Sequence, residues 1–186
     1  MKKQVLIING SGGVGKDTFI EMVKLAESRI LNKHIGIGNH SSVSKVKEIA
    51  KMIGWTGEKT EKDRKFLSDL KLLTTEYNDM PLNDMKEYVD VFMNLIKLDK
   101  ARMLFLHIRE PEEIAKAVNE FRKYDAKTIL VKRDSVKHIT SNMADENVYN
   151  YNYDIVINNN GTEEDLRAKA KCFLNDFLNG NFKEEY

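Results

Sequence analysis

The chain has 186 residues, a length that suits one α/β domain with a small inserted subdomain. Its 30 Lys and Arg residues nearly balance 29 Asp and Glu residues, so the formal net charge of +1 gives no reason to expect a nucleic-acid or membrane partner. The single cysteine, Cys172, excludes an intramolecular disulfide, and its helical surroundings predict a small buried side chain.

The N-terminal segment predicts a strand and not a signal peptide, because the apolar run from Val5 to Ile8 is too short. No stretch of the sequence reaches the roughly 18 apolar residues that a membrane span needs. We therefore expect a soluble, cytoplasmic protein, and the sequence leaves its oligomeric state open.

Strand and helix patterns alternate along the whole chain. Strands are predicted at residues 4–9, 34–38, 103–108, 128–131 and 154–157. Helices are predicted at residues 17–31, 43–53, 61–73, 85–98, 111–123 and 162–177. This alternation predicts a single three-layer α/β domain, residues 1–186, around a parallel sheet of about five strands. The consecutive helices between the second and third strands predict a helical insertion.

Three local signals mark helix boundaries. Pro81 is predicted to separate two helices of the insertion, and Pro111 opens the next helix at a first-turn position, where its missing N–H costs nothing. Thr162, followed by Asp165, is close to a capping box and predicts the start of the last helix.

A glycine-rich pattern lies between the first strand and the first helix. It is Gly10-Ser11-Gly12-Gly13-Val14-Gly15-Lys16, which fits G-x-x-x-x-G-K. Such glycines let successive backbone N–H groups point into one concavity that binds phosphate, and the lysine brings a charge to the terminal phosphates. The strand before it and the helix after it favour a phosphate loop, here residues 10–16, over a turn without a ligand.

The residue after Lys16 departs from the usual pattern. It is Asp17, followed by Thr18, where the pattern has a Ser or Thr whose hydroxyl holds Mg²⁺. A carboxylate is a good ligand for a hard cation, so Asp17 is a candidate metal ligand, directly or through water. The alternative is that Asp17 only stabilises the N-terminus of the helix electrostatically.

Further segments are similar to those of one superfamily. They are Gly15-Lys16-Asp17, residues 46–50 with Gly54-Trp55, and residues 61–67, 108–113 and 160–166. They resemble the P-loop nucleoside monophosphate kinase superfamily, closest to deoxynucleoside monophosphate kinase-like proteins of the phage type. Dephospho-CoA kinase and animal-type phosphomevalonate kinase are related members.

The resemblance implies an enzyme that transfers the ATP γ-phosphoryl group, with Mg²⁺, to a phosphorylated small molecule such as a (deoxy)nucleoside monophosphate. It implies acceptor-binding helices at about 42–98, a lid at about 133–150, and a loop beside adenine formed by Asn160, Gly161 and Thr162. His107 stands where that superfamily usually has an acidic metal-binding residue, so Asp17 or Glu110 would have to replace it.

Positive side chains are the candidates for the acceptor phosphate, because a guanidinium matches phosphate bidentately. Arg64 and Arg109 are predicted to clamp the acceptor, and Arg133 to act from the lid. Supporting candidates are Lys47, Lys132 and Lys137, and for each of these side chains the alternative is a solvated surface charge. Tyr149, Tyr151 and Tyr153 predict packing, or for one of them a base pocket.

Other P-loop functions stay open at this point. The ParA/MinD partition ATPases have a similar loop, but they need a lysine early in it, where this chain has Ser11. Dephospho-CoA or phosphomevalonate are alternative acceptors. A P-loop ATPase or a regulatory nucleotide-binding protein would need no acceptor at all.

Overall fold

A computed structural model describes residues 1–28, 35–58, 60–95, 101–136 and 147–186. Within these ranges five strands alternate with six α-helices. The strands are β1 (Lys2–Asn9), β2 (Ile35–Ser41), β3 (Ala101–His107), β4 (Lys127–Lys132) and β5 (Ile155–Asn158). The helices are α1 (Lys16–Ser28), α2 (Ser44–Met52), α3 (Glu61–Asn78), α4 (Met80–Asn94), α5 (Pro111–Glu120) and α6 (Glu163–Asn179).

The strands form one parallel sheet in the order β2-β3-β1-β4-β5. His107 at the end of β3 is in register with Ser41 of β2 and Ile8 of β1, and Lys132 of β4 is in register with Asn158 of β5. All five carboxyl ends therefore meet at one edge, where ligands bind in open α/β sheets. The predicted parallel sheet is confirmed.

Each face of the sheet is covered by a different pair of helices. Leu6 and Ile8 of β1 belong to a core that also contains side chains of α1 and α6. Val5 and Ile7 point to the other face and belong to a second core with side chains of α4 and α5. The central strand is thus buried on both faces, as its unbroken apolar run predicts, and the fold has three layers.

Helix α4 belongs to the second core. Met85, Val89 and Met93 are buried there, although residues 42–98 are predicted as an insertion. In α3, by contrast, Lys71 is the one buried side chain. The side chains of α2 and α3 lie outside both cores, whereas α4 is part of the three-layer core.

The local sequence predictions have mixed outcomes. The capping box of α6 is confirmed, since Thr162 and Asp165 bond each other's backbone N–H. Pro81 lies at the predicted break between two helices, since α3 ends at Asn78 and α4 begins at Met80 with Pro81 in its first turn. Cys172 is exposed and not buried. It lies off the buried stripe of α6, which is Leu166, Ala170, Phe173, Leu174 and Phe177.

The residues after α6 run along the outer edge of β5. Val156 N–H donates to the Glu184 carbonyl over 2.8 Å, and Tyr186 N–H donates to the Val156 carbonyl over 2.9 Å. These bonds cover an edge that would otherwise expose unpaired backbone groups.

The predicted lid, residues 133–150, lies mainly outside the described residues, and Lys137 lies outside them too. Of the described part, Asn147–Tyr149 forms a 3₁₀ turn. Among the helices in the described ranges, none combines the length and apolarity needed to cross a membrane.

Candidate functional site

The phosphate loop joins β1 to α1 at the carboxyl edge of the sheet. Gly10 and Gly15 have positive φ angles of 147° and 97°. A Cβ atom on Gly10 would lie 2.4 Å from the Val131 carbonyl oxygen, and one on Gly15 would lie 2.5 Å from Asn159 Nδ2. Both positions therefore require glycine, because of the backbone conformation and because Val131 and Asn159 approach so closely.

Lys16 is the first residue of α1 and folds back over the loop. Its Nζ donates to the carbonyl oxygens of Gly10 at 2.5 Å and Ser11 at 2.9 Å. The ammonium is thereby held against the loop whose N–H groups are predicted to bind phosphate. Thr18, in the first turn of the same helix, is exposed.

The other loop residues differ in burial. Val14 is packed into the first core, Gly12 is half-buried and Gly13 is exposed. Ser11 is only 2% exposed, and its Oγ has no hydrogen-bond partner among the described residues. A buried hydroxyl without a partner is costly, so a ligand oxygen or a water would be favoured beside it.

Asp17 and His107 meet beside the loop, with His107 Nε2 3.7 Å from Asp17 Oδ1. The pKa of His107 is lowered to about 4, mainly by burial; Asp17 opposes this shift, and the positive charges of Lys16, Arg109 and Lys47 act in the same direction as burial. His107 is therefore neutral at pH 7. As a neutral side chain it supplies neither the negative charge of a metal-binding carboxylate nor a positive charge.

The donor set for Mg²⁺ is small. Among the described residues, no group of three or more His, Cys, Asp or Glu side chains could hold a metal. Asp17 is available, because its side chain is 88% exposed. Mg²⁺ in phosphoryl-transfer sites is commonly bound by one or two carboxylates, substrate phosphates and water, and Asp17 fits that arrangement.

Glu110 is engaged elsewhere. Lys71 Nζ donates to Glu110 Oε2 at 2.5 Å and to Glu113 Oε2 at 2.7 Å, joining α3 to the start of α5. Burial raises the pKa of Glu113 to about 7. For Glu110 burial acts in the same direction, but the Lys71 ammonium and the hydrogen bonds to the carboxylate together outweigh it and hold that pKa below its ordinary value. No local pattern in the sequence indicates this cluster.

Arg109 follows β3 at the same edge and is half-buried. The side chain of Asn9, at the end of β1, donates to the Arg109 carbonyl over 2.9 Å, while its Oδ1 accepts the N–H of Gly10 over 2.8 Å. Asn9 thus connects the loop that carries Arg109 to the first residue of the phosphate loop. Sequence reasoning included Asn9 only as the end of a strand.

The remaining cations lie around this edge. Lys47 is exposed on α2, and Lys132 is half-buried at the end of β4. Arg133 is exposed directly after β4, and Arg64 is exposed in the first turn of α3. The structure brings Lys16, Asp17, His107, Arg109 and Lys47 into one electrostatic neighbourhood. The four charged side chains that act most strongly on His107 do not include Arg64 or Arg133.

The three tyrosines have different surroundings. Tyr153 OH lies 2.7 Å from Asn9 Nδ2 and donates to the Val148 carbonyl, and burial raises its pKa to about 12. Tyr151 stacks at an angle against Tyr153 with ring centroids 5.1 Å apart, while Tyr149 is exposed. Tyr151 and Tyr153 therefore serve packing, one of the two roles predicted for them.

The loop after β5, predicted to lie beside adenine, is built largely from polar contacts. Asn160 Nδ2 donates to Asp134 Oδ2 over 2.7 Å, and Thr162 caps α6. A Cβ on Gly161 would lie 2.5 Å from Asp165 Oδ2. The neighbouring Asn159, which sequence reasoning did not select, is buried and contacts the phosphate loop.

Comparison with known proteins adds no relative. No family model matches the chain, and a comparison with curated proteins gives no significant match. The resemblance drawn from the sequence motifs stays a prediction.

Proposed function

We propose that this protein is an ATP-dependent kinase that transfers the γ-phosphoryl group to a small phosphorylated acceptor of the (deoxy)nucleoside monophosphate class. The observation that carries the proposal is the strand–loop–helix at the carboxyl edge of the parallel sheet, with Lys16 folded over the loop. The proposal includes a cytoplasmic setting, where ATP is abundant.

Support for phosphate binding comes from the loop and the helix behind it. The first backbone N–H groups of α1 have no partner within the helix, and the helix dipole places partial positive charge there. Lys16 adds a full charge, and the hydroxyl of buried Ser11, which has no partner among the described residues, could bond a ligand oxygen. Together these groups suit a polyphosphate.

Support for a second anion comes from the charge around His107. Three cations, Lys16, Arg109 and Lys47, act on this neutral imidazole, against one exposed carboxylate, Asp17. Phosphoryl transfer requires of a protein mainly positioning and positive charge. The excess of positive charge therefore suits two phosphorylated ligands that meet at this edge.

Roles for the chain's own residues follow from these positions. Lys16 would hold the terminal phosphates of ATP, and Arg109 would orient the phosphate of the acceptor. Asp17 would hold Mg²⁺, which when bound neutralises phosphate charge. Helices α2 and α3, which lie outside both cores, would form the acceptor side, with Arg64 and the lid residue Arg133 as further contacts.

The proposal is tested by measuring ADP formation from ATP and Mg²⁺ with a panel of acceptors. The panel contains nucleoside and deoxynucleoside monophosphates, dephospho-CoA and phosphomevalonate. We expect strong stimulation by one monophosphate, loss of that activity in Lys16→Ala, and unchanged activity in Lys24→Ala, whose side chain pairs with Glu21 on the surface of α1.

Each other outcome has a definite meaning. Stimulation by dephospho-CoA or phosphomevalonate alone would keep the kinase and change its acceptor. ADP formation that depends on Lys16 but on no acceptor would indicate an ATPase or a regulatory nucleotide-binding protein. Retention of more than about a tenth of the activity in Lys16→Ala would contradict the role of the phosphate loop, since one lost charged contact costs about 1.5–3 kcal/mol.

A further inference from the structure

The loop after β5 contacts the phosphate loop through one buried side chain. Asn159 is 6% exposed, and its Nδ2 donates to the Val14 carbonyl oxygen over 2.8 Å. Val14 immediately precedes Gly15 and Lys16. The bond thus joins the first residue after β5 to Val14 of the phosphate loop, 145 residues away in sequence.

The position of Asn159 is set from two sides. Its backbone N–H donates to the Lys132 carbonyl over 2.8 Å, which fixes it to the end of β4. A Cβ atom on Gly15 would lie only 2.5 Å from Asn159 Nδ2, so the amide packs directly against the backbone of that glycine. Little freedom is left for the side chain.

The peptide geometry gives this contact a consequence for ligand binding. The Val14 carbonyl and the Gly15 N–H belong to one planar trans peptide unit, so they point in opposite directions. A bond that holds the carbonyl toward Asn159 therefore holds the Gly15 N–H toward the other side of the loop. In a phosphate loop, N–H groups must keep a common direction to bind an anion.

We propose that Asn159 is a positioning residue for the phosphate loop, whose amide fixes the Val14–Gly15 peptide in the phosphate-binding orientation. This inference rests on the proposed function, since it concerns affinity for the phosphates of the nucleotide. Asn159 acts through the loop backbone and contacts no ligand itself.

The neighbouring asparagines have other partners and provide a control. Asn160 exchanges two hydrogen bonds with Asp134, each 2.7 Å long. Asn158 donates to Glu185 Oε1 over 3.1 Å and accepts a bond from Asn160. Asn158→Ala removes an asparagine side chain at the end of β5, next to Asn159, without touching the phosphate loop.

The test compares two ligands in four proteins: the wild type, Asn159→Ala, Asn159→Asp and Asn158→Ala. Dissociation constants are measured by calorimetry for ADP and for inorganic tripolyphosphate, which has no base. Asn159→Asp keeps the size of the side chain but removes the donor. We expect both Asn159 variants to bind both ligands about tenfold more weakly, from loss of a buried hydrogen bond. Asn158→Ala should match the wild type.

The outcomes separate this inference from the proposed function. A wild type that binds neither ligand contradicts the proposed function itself. If both Asn159 variants bind ADP and tripolyphosphate as tightly as the wild type does, the positioning role is wrong. Weaker binding of ADP alone would assign Asn159 to the base side and overturn the inference. Failure of both variants to fold, while Asn158→Ala folds, would make the residue structural and overturn it too.

Discussion

At the scale of single residues, Asp17 is the side chain whose role the loop pattern leaves most open. Its carboxylate is 88% exposed at the start of α1 and lies 3.7 Å from His107 Nε2. We expect Asp17→Ala to raise the Mg²⁺ concentration needed for half-maximal activity, because a hard cation loses its carboxylate ligand. Asp17→Ser, which supplies a hydroxyl, should have the milder effect.

The measurement is a Mg²⁺ titration of acceptor-stimulated activity. Glu21→Ala removes another acidic side chain from α1, one that pairs with Lys24, and serves as the control. An unchanged Mg²⁺ dependence in Asp17→Ala would mean that the carboxylate only stabilises the helix N-terminus.

Arg109 gives the second prediction at this scale. The side chain of Asn9 donates to the Arg109 carbonyl, so the end of β1 defines the position of the Arg109 backbone next to the phosphate loop. Each hydrogen bond from the guanidinium to the acceptor phosphate is worth about 1.5–3 kcal/mol, and a bidentate contact makes two. We expect Arg109→Ala to lower kcat/KM for the acceptor by roughly tenfold to several-hundredfold, and Arg109→Lys to recover little, because an ammonium lacks the planar fork.

ATP affinity measured without acceptor should barely change in these variants. Arg122→Lys, on an exposed 3₁₀ turn after α5, provides the matched control. Should Arg109→Ala instead abolish ATP binding, the arginine would belong to the donor side, and Arg64 would be the next candidate for the acceptor.

At the scale of elements, the Lys71–Glu110–Glu113 cluster connects α3 to α5. Burial raises the pKa of Glu113 from 4.5 to about 7, so between these pH values the folded state binds more protons than the unfolded state. The stability that Glu113 contributes is therefore fully present below pH 4.5 and lost as the pH rises through about 7. Glu110, whose pKa is lowered, titrates below 4.5 and acts outside this window.

We predict that Glu113→Gln removes this pH dependence. The free energy of unfolding of the wild type should fall relative to the variant between pH 5 and pH 8, by an amount on the order of 1–3 kcal/mol. Urea denaturation at several pH values measures it, with the exposed Glu112→Gln as control. Parallel pH profiles of the wild type and Glu113→Gln would contradict the raised pKa.

At the scale of the whole molecule, Phe173 of α6 is a central side chain of the first core, between the sheet, α1 and α6. Its ring lies 5.3 Å from the ring of Phe19 on α1, 6.3 Å from that of Phe105 on β3 and 4.8 Å from that of Phe182 in the C-terminal segment. Phe173 is fully buried. One side chain thus connects two helices, the sheet and the segment along β5.

Phe173→Ala should lower the free energy of unfolding by about 3–5 kcal/mol, because it leaves a cavity among aromatic rings. The adjacent exposed Cys172→Ala should change it by less than about 0.5 kcal/mol. Chemical denaturation measures both variants, and a loss of under 1 kcal/mol in Phe173→Ala would contradict its central position in this core.

The sequence by itself determined the alternation of strands and helices, the glycine-rich connection between β1 and α1, and the start of α6. Each depends on neighbours in the chain: a branched apolar run for β1, glycines before Lys16, and Thr162 with Asp165 three residues later. Such patterns report which face of an element is apolar and where a backbone conformation is demanded. They required no knowledge of distant segments.

Only the tertiary structure decided the strand order, the assignment of α4 to the core, the partners of Lys71 and the contact of Asn159 with Val14. The last two join residues 39 to 145 positions apart, and nothing local to either partner indicates the other. Cys172 became exposed for a similar reason, since the helix periodicity permits several rotations and packing against α1 selected the stripe with Phe173. Long-range contacts follow from how the strands assemble at the sheet edge, so the buried polar groups that surround the site became visible only in the assembled fold.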